Sequence, residues 1–451
     1  MTKFNRRDLL RSGAAGALFA ALGRAGSAAS PLWQPKTGGV GLSPQAPRLL
    51  TIFLRGAQDA VYTVPPVGDA TYNTTSRQTL RPQTVQLPGQ TYAELNTAYS
   101  LLLPIWNTGH AAFMHQVGNP TGGRSHFVEM AIYESADVPT GLFAPRKDGV
   151  LARMRSVGAF GASQGPVFGA SVSNRMQQFF RGFSADELMA HVVSLSQFHV
   201  GSDPINDRMR ASLALHLGQD PAPPLEQFLD ATGEYIALNE TPISSLSNYI
   251  HDAAAFPRNL AETQAAGLPD DHRGQSFLRQ CEEAHQLLKS NVGCQVAGVE
   301  FGSWDTHSNQ IMERDLLDPY LAKAIRSLYD AAMADNLTNY VILVVSEFGR
   351  TNFENANGGT DHGVGGLMMA FGKPVRGGVY NCHGGSGLGK PWRELGVSPN
   401  SHATFPNACP VVTDFREIYA ELFEVLFGLS SNQIGTLIPN WASNNRMGFL
   451  V

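Results

Sequence analysis

The sequence predicts an α/β protein built on a largely parallel, buried sheet. Three observations carry this. Short apolar runs recur along the chain, helical patterns lie between them, and most of the runs stop abruptly at small or polar loop residues. A strand covered on both faces must be apolar on both sides of its pleat, so it reads as a continuous hydrophobic run. Alternation of such strands with helices is the signature of crossover-connected parallel pairs.

Composition sets the limits. Of 451 residues, 43% are hydrophobic and 16% charged, which excludes a disordered polyelectrolyte. The 33 basic and 38 acidic residues give a formal charge of −5, which excludes a generic nucleic-acid binder. No uncharged apolar run reaches the roughly 20 residues that span a bilayer, so no mature membrane span is expected. The 46 glycines and 27 prolines point to many loops around a folded scaffold.

The first 29 residues read as an export signal. Asn5-Arg6-Arg7-Asp8-Leu9-Leu10-Arg11 sets paired arginines before the moderately apolar stretch 12–23, and Ser27-Ala28-Ala29-Ser30 offers small residues for cleavage. This pattern is that of a twin-arginine leader, which implies the twin-arginine translocase as export partner and a periplasmic or secreted location. The leader carries Lys3, Arg6, Arg7, Arg11 and Arg24 against Asp8, a net +4, so the remaining chain has −5 − 4 = −9. Such an acidic surface does not attract nucleic acid or anionic lipid. Cys281, Cys294, Cys382 and Cys409 have no CxxC spacing and read as disulfides or inert thiols.

Residues 30–47 read as a linker and 48–451 as one domain. Residues 48–54 form the first strand, ending at Arg55-Gly56. Residues 111–117 form the second, ending at Gly118-Asn119-Pro120. Residues 292–301 are a third, interrupted by Gly and Cys. Residues 340–345 are the clearest, being mostly β-branched. Residues 367–371 are a fifth. Residues 321–334 read as a helix. The stretch 203–290 lacks strand runs and has helical periodicity at 207–217 and 276–289, as a helical insertion or cap would. The Pro/Gly/Asn-rich segment 381–410 reads as a surface excursion before a last helix at 414–427.

Polar residues gather where these strands end. Gln58-Asp59 follows the first strand, Gly122-Gly123-Arg124-Ser125-His126 the second, Trp304-Asp305-Thr306-His307 the third, and Ser346-Glu347-Phe348-Gly349-Arg350 the fourth. Gly359-Thr360-Asp361-His362-Gly363 comes soon after. Parallel sheets bind ligands outside the carboxyl ends of their strands. Mixed carboxylates and imidazoles are ligands for Zn²⁺, Mn²⁺ or another divalent cation, with Mg²⁺ and Ca²⁺ also compatible. Asp305 and His307, at i and i+2, share one side of an extended segment. Asp361-His362 is the strongest pair. Each residue also has a plainer role: Asp59 suits a turn, Ser125 a helix N-cap, and Glu347 an ion pair with Arg350. Trp304 and Phe348 read as packing residues.

Phe53-Leu54-Arg55-Gly56 with Asp59, Arg124-Ser125-His126-Phe127, Trp304-Asp305-Thr306-His307-Ser308, Ser346-Glu347-Phe348-Gly349-Arg350-Thr351, Gly359-Thr360-Asp361-His362-Gly363 and Thr413-Asp414-Phe415-Arg416 resemble the DUF1501 proteins over roughly 48–427. That family is related to the alkaline phosphatase and sulfatase superfamily. The resemblance implies an alkaline-phosphatase-like three-layer sandwich with a largely parallel sheet. It further implies a metal-dependent hydrolase of a small anionic phosphate or sulfate ester. Ser125 or a metal-bound water would be the nucleophile, Arg124 would pair with the substrate anion, and Asp59, Asp305, His307, Glu347, Asp361 and His362 would serve the metal. The chain departs from the superfamily pattern at Phe348 and Val364, where further ligands are common, and it lacks the formylglycine sulfatase motif. A non-catalytic periplasmic binding or assembly protein that keeps the fold is the alternative.

Overall fold

The computed structural model describes residues 42–140, 144–158, 168–182, 189–195, 246, 249–290, 292–393, 407–441 and 445–451. All of them belong to one unit formed by residues 40–198 and 241–451. The expected leader, residues 30–41 of the linker, the helix at 207–217 and residues 394–406 of the excursion lie outside the described residues.

The sheet is built around β1 (Arg48–Leu54), whose seven residues are all buried. Its side chains alternate between two cores. Leu50, Ile52 and Leu54 enter one, whereas Leu49 and Phe53 enter the other. This is the reason for an unbroken apolar run: the pleat sends successive residues to opposite faces, and each face is covered. The other strands are β2 (Thr84–Gln86), β3 (Glu94–Asn96), β4 (Ala111–Gly118), β5 (Gly169–Val172), β6 (Ala190–Val192), β7 (Val296–Phe301), β8 (Tyr340–Ser346), β9 (Gly366–Phe371), β10 (Gly378–Tyr380) and β11 (Thr413–Asp414). β2 and β3 form a separate antiparallel pair. The main sheet runs β10-β4-β9-β8-β1-β7-β5-β6, and β11 adds to β4. Every pairing is parallel except those of β9, which is antiparallel to β4 and β8. The connection from β8 to β9, residues 347–365, therefore starts and ends at the carboxyl edge of the parallel strands.

Helices cover both faces. The labelled helices are α1 (Ala60–Thr63), α2 (His126–Ser135), α3 (Val150–Ser156), α4 (His272–Lys289), α5 (Gln310–Ala334) and α6 (Phe415–Glu421). α4 and α5 pack on one face through Phe277, Leu278, Cys281, Leu317, Leu321 and Ile325. α2, α3 and α6 pack on the other through Ile132, Tyr133, Leu151, Met154, Phe415 and Ile418. The architecture is thus mixed α/β with a largely parallel central sheet. The five expected strands are present, and residues 321–334 are the second half of α5. α6 starts at Asp414, whose carboxylate caps the Arg416 N–H, and it runs on into a π-helical turn, Leu422–Leu426. The periodicity at 276–289 belongs to α4, which packs against β7 and the β1 face of the sheet. The four cysteines are buried free thiols.

Candidate metal centre

Four loops meet at the carboxyl edge, and local chemistry explains why they fit. After β1 the chain turns at Gly56, with φ of +121°; a Cβ there would sit 2.4 Å from the Asp305 nitrogen. Only glycine allows the β1 and β7 loops to touch. The Gly56 N–H then donates to the Glu347 carboxylate at 2.8 Å, tying in the β8 loop. That loop folds back on itself: Thr351 N–H donates to the Asp361 carbonyl and Gly363 N–H to the Gly349 carbonyl. Glu347 and His362 are brought together this way. The fourth loop, after β4, delivers Arg124, Ser125 and His126 at the start of α2.

These loops assemble a group of imidazoles around one carboxylate. His362 Nε2 lies 3.0 Å from His126 Nε2, 3.0 Å from His307 Nε2 and 3.0 Å from Asp305 Oδ1. His307 Nε2 is 3.1 Å from Asp305 Oδ1, and His126 Nε2 is 3.5 Å from Asp305 Oδ2. His126, Asp305 and His362 each offer a ligand atom within 4.8 Å of the others. His307 joins this group through both His362 and Asp305.

The opposite edge of each ring is anchored. His126 Nδ1–H donates to Glu347 at 2.7 Å, His307 Nδ1–H to Asp361 at 2.9 Å, and His362 Nδ1–H to the Arg124 carbonyl at 3.0 Å. Each neutral ring therefore turns a lone pair, not a proton, toward the others. With all three rings neutral, three nitrogen lone pairs and a carboxylate oxygen face one another, an arrangement that repels unless a cation, a proton or a metal ion, is shared. Nitrogens bonded tetrahedrally to Zn²⁺ at 2.0–2.1 Å stand about 3.3 Å apart, close to the spacing found. A ligating histidine with its second N–H on a carboxylate or carbonyl is the usual support of a metal site.

Electrostatics agree. The cluster holds the carboxylates of Asp305, Glu347 and Asp361 against the guanidinium of Arg350. Asp305 and then Glu347 lift the His126 pKa to about 9, so positive charge is favoured there. Burial works against the Asp305 carboxylate, yet hydrogen bonds from His126 and His362 and the nearby Arg350 hold its pKa well below the usual range. The His307 hydrogen bond likewise lowers the pKa of Asp361.

A buried frame fixes the loops. Arg350 donates to Asp305 at 2.6 Å and to the carbonyls of Gly56, Ala57, Trp304 and Thr360. Gln310, the first residue of α5, accepts from the hydroxyls of Thr306 at 3.0 Å and Thr360 at 2.7 Å, and its amide donates to Asp59 at 2.7 Å. Phe348 packs against the rings of His126 and His362, with centroids 4.9 and 5.0 Å away.

The expected residues divide accordingly. Asp305, His307 and His362 stand in the cluster. Asp361 and Glu347 touch it by orienting His307 and His126, and Arg350 pairs with Asp305 rather than Glu347. Asp59 does not join it. Its carboxylate accepts from Arg77, Gln310 and the N–H groups of Val61 and Tyr62, which fill its lone pairs. Burial opposes that charge, but Arg77 and Arg314 hold its pKa low. Ser125 occupies the N-cap position of α2, yet its hydroxyl makes no capping bond and is exposed beside His126. Arg124 contributes its carbonyl, and its half-buried guanidinium feels the Asp361 charge. His126 was missing from the expected ligands. Its only sequence signal was its place after Arg124-Ser125 at a helix start.

A family model described as "Protein of unknown function (DUF1501)" matches residues 46–386. The chain belongs to the DUF1501 family. This DUF1501 protein is matched by no curated protein. Among solved structures, it is similar to Ps i-CgsB in complex with k-i-k-neocarrahexaose, at 11% identity and a TM-score of 0.33, and to Ps i-CgsB alone, at 11% and 0.32. Each alignment covers 86% of this chain and 74% of the other.

Proposed function

We propose that this DUF1501 protein is an exported, metal-dependent hydrolase of phosphate or sulfate esters, with an alkaline-phosphatase-like arrangement of its sheet. The observation that supports it most is the meeting of three imidazole lone pairs and the Asp305 carboxylate beside an exposed, unengaged serine hydroxyl. Zinc or manganese fits the mixed nitrogen and oxygen donors best.

His126, Asp305 and His362 would hold the cation, with His307 completing its outer side. When bound, the cation supplies Lewis acidity to the ester oxygen and lowers the pKa of a coordinated hydroxyl or water. Ser125 is the chain's own nucleophile in this reading. Its position at the start of α2 places it where backbone N–H groups favour an anion. Arg124 offers a guanidinium whose fork matches phosphate and sulfate. Glu347 and Asp361 accept from the Nδ1–H of His126 and His307, which turns Nε2 of each ring toward the cation. The twin-arginine leader and the translocase that reads it complete the proposal, since this pathway exports proteins already folded.

A non-catalytic periplasmic binding protein is favoured by one observation: Asp59 is taken up by Arg77, and Phe348 fills space beside two of the rings. Elemental analysis and an ester panel separate the two. The hydrolase reading expects about one zinc or manganese per chain, hydrolysis of 4-nitrophenyl phosphate or sulfate, and a loss of at least 100-fold in kcat for Ser125→Ala. Metal-free protein inert on both esters would favour the binding protein.

A further inference from the structure

A cleft of about 700 Å³ opens beside the ligand cluster. Arg55, Phe127 and Ser303 line it, and they neighbour Gly56, His126 and Trp304-Asp305 in the chain. We propose that this cleft binds the body of the substrate, a sugar that carries a second anionic group besides the ester at the cluster. The inference deepens the hydrolase reading and rests on it.

The inner wall is built for hydroxyl groups. Arg55 is clamped between Glu134 at 2.6 Å and Glu300 at 3.0 Å, so donors and acceptors alternate in fixed positions. Vicinal hydroxyls, which both donate and accept, match such an alternation. Two amides stand behind it. Gln177 is 2% exposed and its Oε1 and Nε2 have no partner; Gln280 is 5% exposed and its Oε1 has none. Both residues line the cleft, where a turn of either amide would present these atoms to a ligand's hydroxyls. Phe127, on the rim, is 86% exposed, and offers a flat apolar surface for the C–H face of a sugar ring.

The outer wall supplies charge. Arg175 and Arg181 are both exposed. Among the described residues Arg175 has no ion pair, and Arg181 donates to the Met176 carbonyl. Among the described residues neither arginine bonds to the Asp305 group, so they offer an anion a second set of partners. The volume suits a ligand well beyond a simple monoester, within the 300–1,000 Å³ of ordinary ligand clefts.

Calorimetry on zinc-loaded Ser125→Ala protein tests this without turnover. The probes are glucose 1-phosphate, glucose 1,6-bisphosphate, and glucosamine bearing one or two sulfates. The bis-anionic sugar of one series, phosphate or sulfate, is expected to bind at least tenfold more tightly than its mono-anionic partner. Arg175→Ala with Arg181→Ala should erase that advantage. Both substitutions are on the surface, and circular dichroism checks their fold. No preference in either series, or a preference that survives the double substitution, would overturn the assignment. Hydrolysis of aryl esters without the preference would sink the cleft alone. Failure of every ester in wild-type protein, with the preference intact, would sink the hydrolase reading alone.

Discussion

At the scale of single residues, the centre depends on which carboxylates face the imidazoles and which are spent elsewhere. Glu347 is fully buried and is shared by the His126 Nδ1–H, the Gly56 N–H and the Ser346 hydroxyl. Asp59 is equally buried but is neutralised by Arg77 at 2.6 Å. Two matched substitutions separate these roles. Glu347→Gln should lower zinc affinity roughly 10–100-fold, the usual cost of losing a partner of a ligating histidine. Asp59→Asn should leave zinc affinity nearly intact. It should cost about 3–5 kcal/mol of stability, because Arg77 keeps a buried charge without its counterion. Zinc titration and urea unfolding of both variants provide the check. A large loss of zinc binding in Asp59→Asn would return that residue to the metal shell.

At the scale of elements, ligand-bearing loops from two strand ends hang from one helix terminus. Gln310, the first residue of α5, accepts from Thr306 in the β7 loop and Thr360 in the β8–β9 loop. Asn355 adds a second tie, donating to the His307 carbonyl and to Asp361. Gln310→Ala removes no ligand, but it leaves two buried hydroxyls without an acceptor and frees the loops from each other. Zinc affinity should fall about tenfold, with faster amide hydrogen exchange at 304–307 and 359–362. Unaltered exchange in both loops would refute this positioning role. The arrangement also gives Asp59 a place beside the proposed ligands without joining them: it accepts from Gln310, which ties the loops together.

At the scale of the whole molecule, the sheet carries polar residues in its interior that set its tolerance of pH. His115 lies in β4, fully buried, edge-on to Trp392 with ring centroids 5.4 Å apart. Burial pushes its pKa from 6.5 down to about 4. As pH falls below 6.5 the unfolded chain takes up a proton that the folded chain refuses until about pH 4. Stability present above pH 6.5 is therefore lost across that window, by about 3 kcal/mol for this residue at 1.36 kcal/mol per pKa unit. Urea unfolding of wild type and His115→Leu from pH 7.5 to 4 should converge in slope only if His115 titrates elsewhere; the expected result is a steeper decline in wild type.

The strands over 48–54, 111–117, 340–345 and 367–371 were legible because each is apolar on both faces, a pattern few other elements share. Asp305-Thr306-His307 and Asp361-His362 were legible because polar pairs directly after such runs are placed at the sheet edge. β5 and β6 were not, being strands of three or four residues without an apolar run, β6 at the edge of the sheet. Helix 272–289 carried an amphipathic stripe, but nothing local said that the stripe would meet the sheet rather than a cap. Asp59 stands outside the cluster and His126 within it for the same reason. Sequence shows which groups stand at a strand end, since the period of the pleat and the stop signals are local. Which lone pairs remain free there depends on partners such as Arg77, Gln310 and Glu347, 18 to 251 positions away, and only the packed loops decide that.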